Sequence, residues 1–512
     1  MSISSPALPP VSPSLFSPER AAGTLALVLG VGSHAINGFV TTAVLPDIIR
    51  DLGGQDRAFW VFSSFEMMAI LAGCLTGAAK VRFGARSPFL LASLLLAGGS
   101  VLAGLSTSLE GLIAGRALQG FGEGMIIALC YSLIPDLFPS NIAPRVFALL
   151  AGVWAVAAGI GPVSAGLLSE LWSWRAAFLI NIPFVLLLFV LMNTALPAHA
   201  VRPATASDPT ARRLPVRLLV RLALLAASIF LLTVIGELHA PLPLALTIAA
   251  GLATAALLLT FDAASPHRLF PRDAFRAQTL IGLGTWIVFL ISAAAAVRAV
   301  FVTTVGQVYW GLSVTQASYV AAGLAFSWSI FAVISSRAPS RQCELTYLTT
   351  GPFLIAGGLT LTALAISTAS LPLFALAAVV AGAGHGLCNQ ILMRSLMYTA
   401  EGEDQNLVSS ILPTISSAGI AIGGGLTGLI AIVTGLVAPG SEELLTREAV
   451  ARSGASVFYI NAGLTLVPAL AMLVLRHRLT ARESAIANEQ SPPSPKAGTA
   501  RLDPVDPRHH RP

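Results

Sequence analysis

Apolar residues in this chain come in blocks of about twenty or more, parted by short polar joints, and charge inside the blocks is sparse. Blocks of that length predict helical spans over 22–46, 58–79, 88–106, 109–134, 145–169 and 176–196. Two more follow over 217–236 and 242–262. The last six lie over 278–303, 313–336, 345–366, 371–396, 406–434 and 455–475. That is about fourteen crossings of a bilayer, and the expected class is an all-α integral membrane protein.

Composition agrees. Of 512 residues, 55% are hydrophobic and 11% charged, where a soluble domain carries roughly 25% charged residues. The net charge of +6 matters less than its placement. One set of loops holds Lys80, Arg82 and Arg86, Arg145, Arg202 to Arg217, Arg268 to Arg276, Arg337 and Arg341, and Arg476 to Arg482. The other set holds only Arg50, Arg57, Arg175, Arg447 and Arg452. The asymmetry puts both termini in the cytosol and favours an even number of spans. Basic residues scattered between apolar runs form no nucleic-acid-binding face. The four cysteines have no metal-binding spacing and read as packing residues, so no metal and no cofactor is expected. Residues 1–21 lack a basic signal-peptide start and read as a short cytosolic tail.

An internal repeat organises the blocks. GFGEGM at 120–125 recurs as GAGHGL at 382–387, an offset of 385 − 123 = 262. At that offset Gly161 and Gly166 meet Gly423 and Gly428, and further on AFLINIP at 177–183 is echoed by VFYINAG at 457–463. The chain therefore divides into a six-helix bundle at 22–196, a basic, proline-rich cytosolic linker at 197–216, two inserted helices at 217–262, and a second six-helix bundle at 278–475. Residues 476–512 are expected to form a disordered cytosolic tail. The segment 435–455 offers one amphipathic helix on the outer face. Parallel repeats of this kind place a substrate site near the midplane between the halves, with Glu123 and His385 facing each other across it.

Ionisable groups inside spans are costly and mark polar pathways. Arg116 and Glu123 lie seven residues apart, on one helix face but about 10 Å apart along the axis. Depth counting suggests two layers: Glu66, Arg116 and Asn37, with Arg298 across the cavity, and then His34, Glu123 and His385. A neighbouring cation favours a charged carboxylate and burial a neutral acid, so an acid held between the two can load and release a proton. Arg116 is read as serving that purpose, against the plainer reading that it pairs with Glu66. Glu123 is either a proton carrier (or counter-charge to a cationic cargo) or a protonated acid bonded to a neighbour such as His385. Glu66 has the same two readings. Imidazoles titrate near neutral pH, which suits proton coupling, although a lone histidine in a span is often just hydrogen-bonded. The residues placed to bind substrate are His34, Asn37, Gln119, Arg298 and Asn389, with packing as the alternative for Asn389 and an interfacial position for Arg298.

Several motifs also resemble the major facilitator superfamily. RALQGFG (Arg116, Gln119, Gly120, Gly122) looks like its fourth-span motif, and GIGPVSAG (Gly159, Gly161, Pro162, Gly166) looks like its antiporter motif. WRAAFLINIP at 174–183 and VLPDIIRDLGG at 44–54 resemble its fourteen-span drug:proton antiporter branch, the EmrB/QacA type. The resemblance implies two pseudo-symmetric bundles and proton-driven export by alternating access. Gly161, Pro162 and Gly166 would serve as a hinge seal, and Lys80, Arg82, Gly84 and Arg86 as a gating loop. The chain departs from the pattern at Asn37, where the branch usually has aspartate, and in GAAKVRFGAR, where Val81 and Ala85 replace an aspartate and an arginine.

Taken together, the expected function is proton-coupled efflux of lipophilic small molecules, cationic ones among them, across a bacterial plasma membrane by a monomer. Dedicated export of one metabolite, lipid or antibiotic, and a non-transporting membrane sensor, are the alternatives. No phosphate loop, nucleophile elbow or metal spacing points to an enzyme.

Overall fold

The computed structural model describes residues 15–18, 20–138, 143–195, 216–238, 240–265, 268–399, 403–438 and 445–490. The expected linker up to residue 215, the first fourteen residues and 491–512 lie outside these, while Val216 already opens the first inserted helix. The first half comprises α1 (Ala21–Leu52), α2 (Trp60–Phe83), α3 (Arg86–Gly104), α4 (Leu109–Leu137), α5 (Ala143–Leu171), and a sixth span in two pieces, α6 (Trp174–Leu179) and α7 (Asn181–Ala195). Two inserted helices follow, α8 (Val216–Val234) and α9 (Pro241–Ala263). The second half comprises α10 (Leu280–Trp310), α11 (Val314–Ser336), α12 (Arg341–Ser367), α13 (Leu371–Thr399), α14 (Glu403–Val433) and α15 (Ala455–Gln490). Among the described residues, fourteen helical segments are long and apolar enough to cross a membrane, matching the sequence pattern.

Boundaries follow local chemistry. Ser108 caps α4 by accepting from the Gly111 amide, and Ser313 and Gln316 form a reciprocal capping box on α11. Gly53 and Gly311, both at positive φ, end α1 and α10. Two expectations need correction. The last helix runs to Gln490 and not to 475, so 476–490 is helical and not part of a loose tail. In the segment before it, a turn at Arg447–Ala449 and a π turn at Val450–Gly454 lead directly into α15, in place of a separate surface helix.

The repeat seen in sequence is a repeat in packing. A Cβ at Gly120, Gly122 or Gly124 would overlap the backbone of Phe65, of Ala92 and Leu96, or of Ala69. Gly382, Gly384 and Gly386 meet Leu324, the Gly351–Ile355 stretch, and Trp328 in the same way. In each half, three glycines two residues apart wedge the fourth helix between the second and third, at a spacing only hydrogen atoms permit.

Three apolar cores hold these layers. The first, at the arginine-poor end, is shared: Val40, Val44, Ile48 and Phe59 lie in it with Val297, Val300, Val305 and Phe374. At the arginine-rich end the halves have separate cores. One is built on Phe89, Leu96, Leu129 and Leu133. The other is built on Leu345, Leu348, Leu392 and Leu475, and it takes in Leu225 and Ile229 of α8 and Ile70 of α2. The halves are thus fused at one end. At the other they are bridged along α2, which packs on α14 and α8. The inserted pair is pinned by a buried ion pair, Arg221 to Asp262 at 2.7 Å, and Asp262 also accepts from the Leu269 and Phe270 amides.

Gly122→Val and Gly384→Val should each cost about 1–3 kcal/mol or more by overpacking. Gly73→Ala and Gly357→Ala, whose Cβ would meet nothing within 4 Å, should be near neutral. Thermal unfolding of the purified protein in detergent checks the contrast.

Candidate functional site

Glycine packing sets α4 against α2 and α3, and polar side chains of α1 and α4 merge with a carbonyl of α2 in one buried cluster. Arg116 is 1% exposed. Its Nε donates to the Val61 carbonyl at 3.1 Å, and its Nη1 donates to Asn37 Oδ1 at 3.2 Å and Gln119 Oε1 at 2.9 Å. The guanidinium lies 4.1 Å from the centre of the Phe65 ring. Asn37 Nδ2 in turn donates to Glu123 Oε2 at 2.8 Å, and His34 Nδ1 lies 3.8 Å from the same oxygen. The other carboxyl oxygen of Glu123 is buried with no hydrogen-bond partner in the protein. His34, at 24% exposure, is the accessible member, placed between the rings of Phe65 and Trp154.

The expected two layers are therefore one. Asn37 reaches both Arg116 and Glu123, supplying the link that the seven-residue spacing denied them. Arg116 forms no ion pair with Glu66 among the described residues, which corrects the pairing reading. Glu66 approaches Ser417 of α14, across the interface between the halves, and its Oε2 has no hydrogen-bond partner. Gln119 is fully buried, its carbonyl held by Arg116 and its amide donating to Ser100 at 2.9 Å. It braces Arg116 and is not free to meet substrate.

The second half repeats the joint with different chemistry. Arg298 Nη2 and His385 Nε2 are 2.8 Å apart, and the His385 ring stacks on Trp328 with centroids 4.9 Å apart. Arg298 is thus neither at the interface nor grouped with Arg116. His385 bonds Arg298 and not Glu123, so the expected facing pair is two separate pairs, one per half. The positions correspond: 385 − 123 = 262 on the fourth helices and 298 − 37 = 261 on the first. Asn389, one turn beyond His385, is half-buried.

Between the halves, α5 packs on α11. A side chain at Gly159 would press on Phe326, and one at Gly166 would overlap Thr315. Gly161 is buried on the same helix, and Pro162 lies within it. Glu170, at the end of α5, accepts from the Thr315 amide at 3.2 Å and its hydroxyl at 2.9 Å. The loop motif ends α2 at Gly84, whose φ is 72°. Lys80 donates to the Ser132 carbonyl, while Arg86 begins α3 exposed and Arg82 is half-buried. A surface cavity of about 710 Å³, lined by Asp47, Glu170, Trp174 and Gln307 among others, overlies the fused end of the halves. Neither Arg116 and Glu123 nor Arg298 and His385 line it.

Sequence reasoning missed several connections. Asp51 accepts from Trp174 Nε1 and Arg175 Nη1, so two of the family-like motifs are partners in space. The Glu170 cap and the Arg221–Asp262 pair were also unseen; an acid at the arginine-rich end of an apolar span, in FDAAS, was the available signal for the latter.

Bilayer-length helices in two like halves, each with a polar joint between its first and fourth helices, define a membrane transporter. The chain belongs to the Major Facilitator Superfamily, whose family model matches residues 27–342. A relative from Mycobacterium tuberculosis, named as a probable multidrug-efflux transporter, is 29% identical over 426 residues, 80% of this chain and 88% of its own. Multidrug resistance protein 3 of Bacillus subtilis is 29% identical over 160 residues, 31% of each chain. A solved POT family transporter in complex with 5-aminolevulinic acid superposes with a TM-score of 0.68 over 90% of this chain and 96% of its own. At 15% identity that likeness shows the fold alone. Family membership makes the chain a transport protein and not an enzyme.

Asn37→Leu should cost about 1–3 kcal/mol, because it strips buried acceptors and donors from Arg116 and Glu123 together. Asn37→Asp keeps an acceptor for Arg116 and should melt closer to wild type. Thermal unfolding in detergent ranks the two.

Proposed function

We propose that the protein exports lipophilic small molecules in exchange for protons, with Glu123 as the proton carrier. The observation that carries this reading is the position of Glu123. It is a carboxyl 1% exposed within a span, with one oxygen held by Asn37, the other without a partner, and a partly accessible imidazole beside it. A proton arriving through His34 turns a carboxylate that only accepts into an acid that also donates. That changes what Asn37 can offer Arg116, and so ties the charge of Glu123 to the grip between α1 and α4.

The same helix carries the change outward. Beyond Asn37, α1 packs against α10 of the other half within the shared core. Loss of grip at Asn37 is therefore felt at the contact that must part for the cavity to change sides. With the arginine-rich end in the cytosol of a bacterial cell, the present arrangement is the inward-facing one: fused outside, with separate cores inside. Gly161, Pro162 and Gly166 seal the outer side along α5, Lys80, Arg82, Gly84 and Arg86 form the cytosolic turn between α2 and α3, and Glu66 reports across the interface. The Mycobacterium and Bacillus relatives, named for multidrug efflux and resistance, favour a broad range of cargo, with antibiotics among the candidates. We take the working unit to be the monomer, since each chain supplies both halves of the site.

Glu123→Gln should abolish coupled efflux while leaving expression and melting temperature near wild type. In inverted membrane vesicles energised with a pH gradient, a transported compound should collapse the gradient with wild type and leave it intact with the variant. Unchanged collapse would remove Glu123 from the mechanism.

A further inference from the structure

The joint in the second half poses a separate question. Arg298 is a guanidinium within a membrane span, and among the described residues its one hydrogen bond is with an imidazole, which brings no negative charge. Among the same residues its Nη1 has no acceptor and no carboxylate contributes to its surroundings. The two buried arginines, Arg116 and Arg221, are better supplied. Arg116 has three neutral acceptors and feels Glu66 and Glu123, and Arg221 has Asp262. A desolvated cation with no counter-ion is expensive unless an anion completes it. The neighbouring surface suits an amphiphile: Trp328 lies flat on His385 within the same cluster, and Arg298 as a residue remains partly exposed.

We propose that Arg298 is the docking point for an anionic head group, so that the cargo is a lipophilic molecule bearing a carboxylate or sulfonate. His385 positions the guanidinium, and Trp328 offers the flat apolar surface beside it. The inference rests on the reading of the chain as an exporter but not on the role of Glu123. It also reverses the cationic cargo suggested by the acids of the first half, because those acids are engaged within their own half while this cation is not. Export of a monoanion in exchange for a proton moves two charges of the same sense, so the membrane potential as well as the pH gradient would drive it.

The test uses three matched amphiphiles: cholate, its uncharged methyl ester, and the lipophilic cation tetraphenylphosphonium. Binding to the full-length protein in nanodiscs should favour cholate over the ester by about tenfold or more, the scale of one charge-assisted hydrogen bond. Arg298→Gln should erase that preference, and Arg298→Lys should keep part of it. The wild-type comparison of acid with ester decides the matter even if a variant misfolds. Equal or tighter binding of the ester or the cation, or no binding of cholate, overturns the proposal. Efflux in energised vesicles separates it from the underlying reading. Proton-coupled export of the cation alone sinks the anion site and spares the antiporter, while Arg298-dependent cholate binding without proton movement does the reverse.

Discussion

A guanidinium held inside a membrane span must find its acceptors within the protein, and the way Arg116 does so shapes the first half. No carboxylate neutralises it at contact distance; a backbone carbonyl of α2, an amide of α1 and an amide on its own helix share the load, with an aromatic face beneath. Neutral acceptors of that kind demand short distances, because each is weaker than an ion pair. Helices α2 and α4 must therefore approach until their backbones nearly touch, which Gly120 and Gly124 allow, while Gly122 does the same against α3. Because Arg116 is satisfied without consuming an acid, Glu123 remains two hydrogen bonds away, joined to it through Asn37 and otherwise uncommitted.

The second half shows which part of this arrangement belongs to the fold. Its glycine wedge is the same and its first and fourth helices again meet through polar side chains, yet the residues are Arg298 and His385. Geometry repeats while charge is inverted. Backbone packing around α4 and α13 needs only small residues at fixed intervals, so the side chains projecting toward the first helix of each half are free to differ. An acid at this joint in one half and a cation in the other give the molecule two chemically distinct places.

How much could be read from the chain alone divides along the same line. Span positions were legible because bilayer thickness imposes a length on apolar runs, and the repeat was legible because a backbone contact tolerates nothing but glycine. The partners of ionisable residues were not. Depth along a span separated Arg116 and Glu123 into two layers, but Asn37 reaches both, since side-chain length covers a helical turn. Symmetry suggested that Glu123 should face His385, whereas each turned to the first helix of its own half; rotation about the helix axis decides that, and apolar periodicity is nearly uniform around these helices. Gln119 looked available to cargo because nothing in the sequence showed Ser100 beside it. The end of α15 was misplaced for a different reason: hydropathy ends with the bilayer, and a polar helix can continue into water to Gln490.

The contacts between α5 and α11 are of a particular kind. Along α5 and α11 the halves meet through Gly159 on Phe326, Gly166 on Thr315, and the Glu170 carboxylate capping the first turn of α11. Close packing of small residues gains mainly from dispersion, and a rim hydrogen bond exchanges readily with water, so neither imposes the penalty of separating a buried ion pair. The buried ion pair Arg221–Asp262 lies elsewhere, holding the inserted helices, and α8 packs beside both α2 and α14. The desolvated ion pair thus ties the inserted helices to each other, while the contact of α5 with α11 rests on small residues and an exposed hydrogen bond, the weaker and more exchangeable of the two.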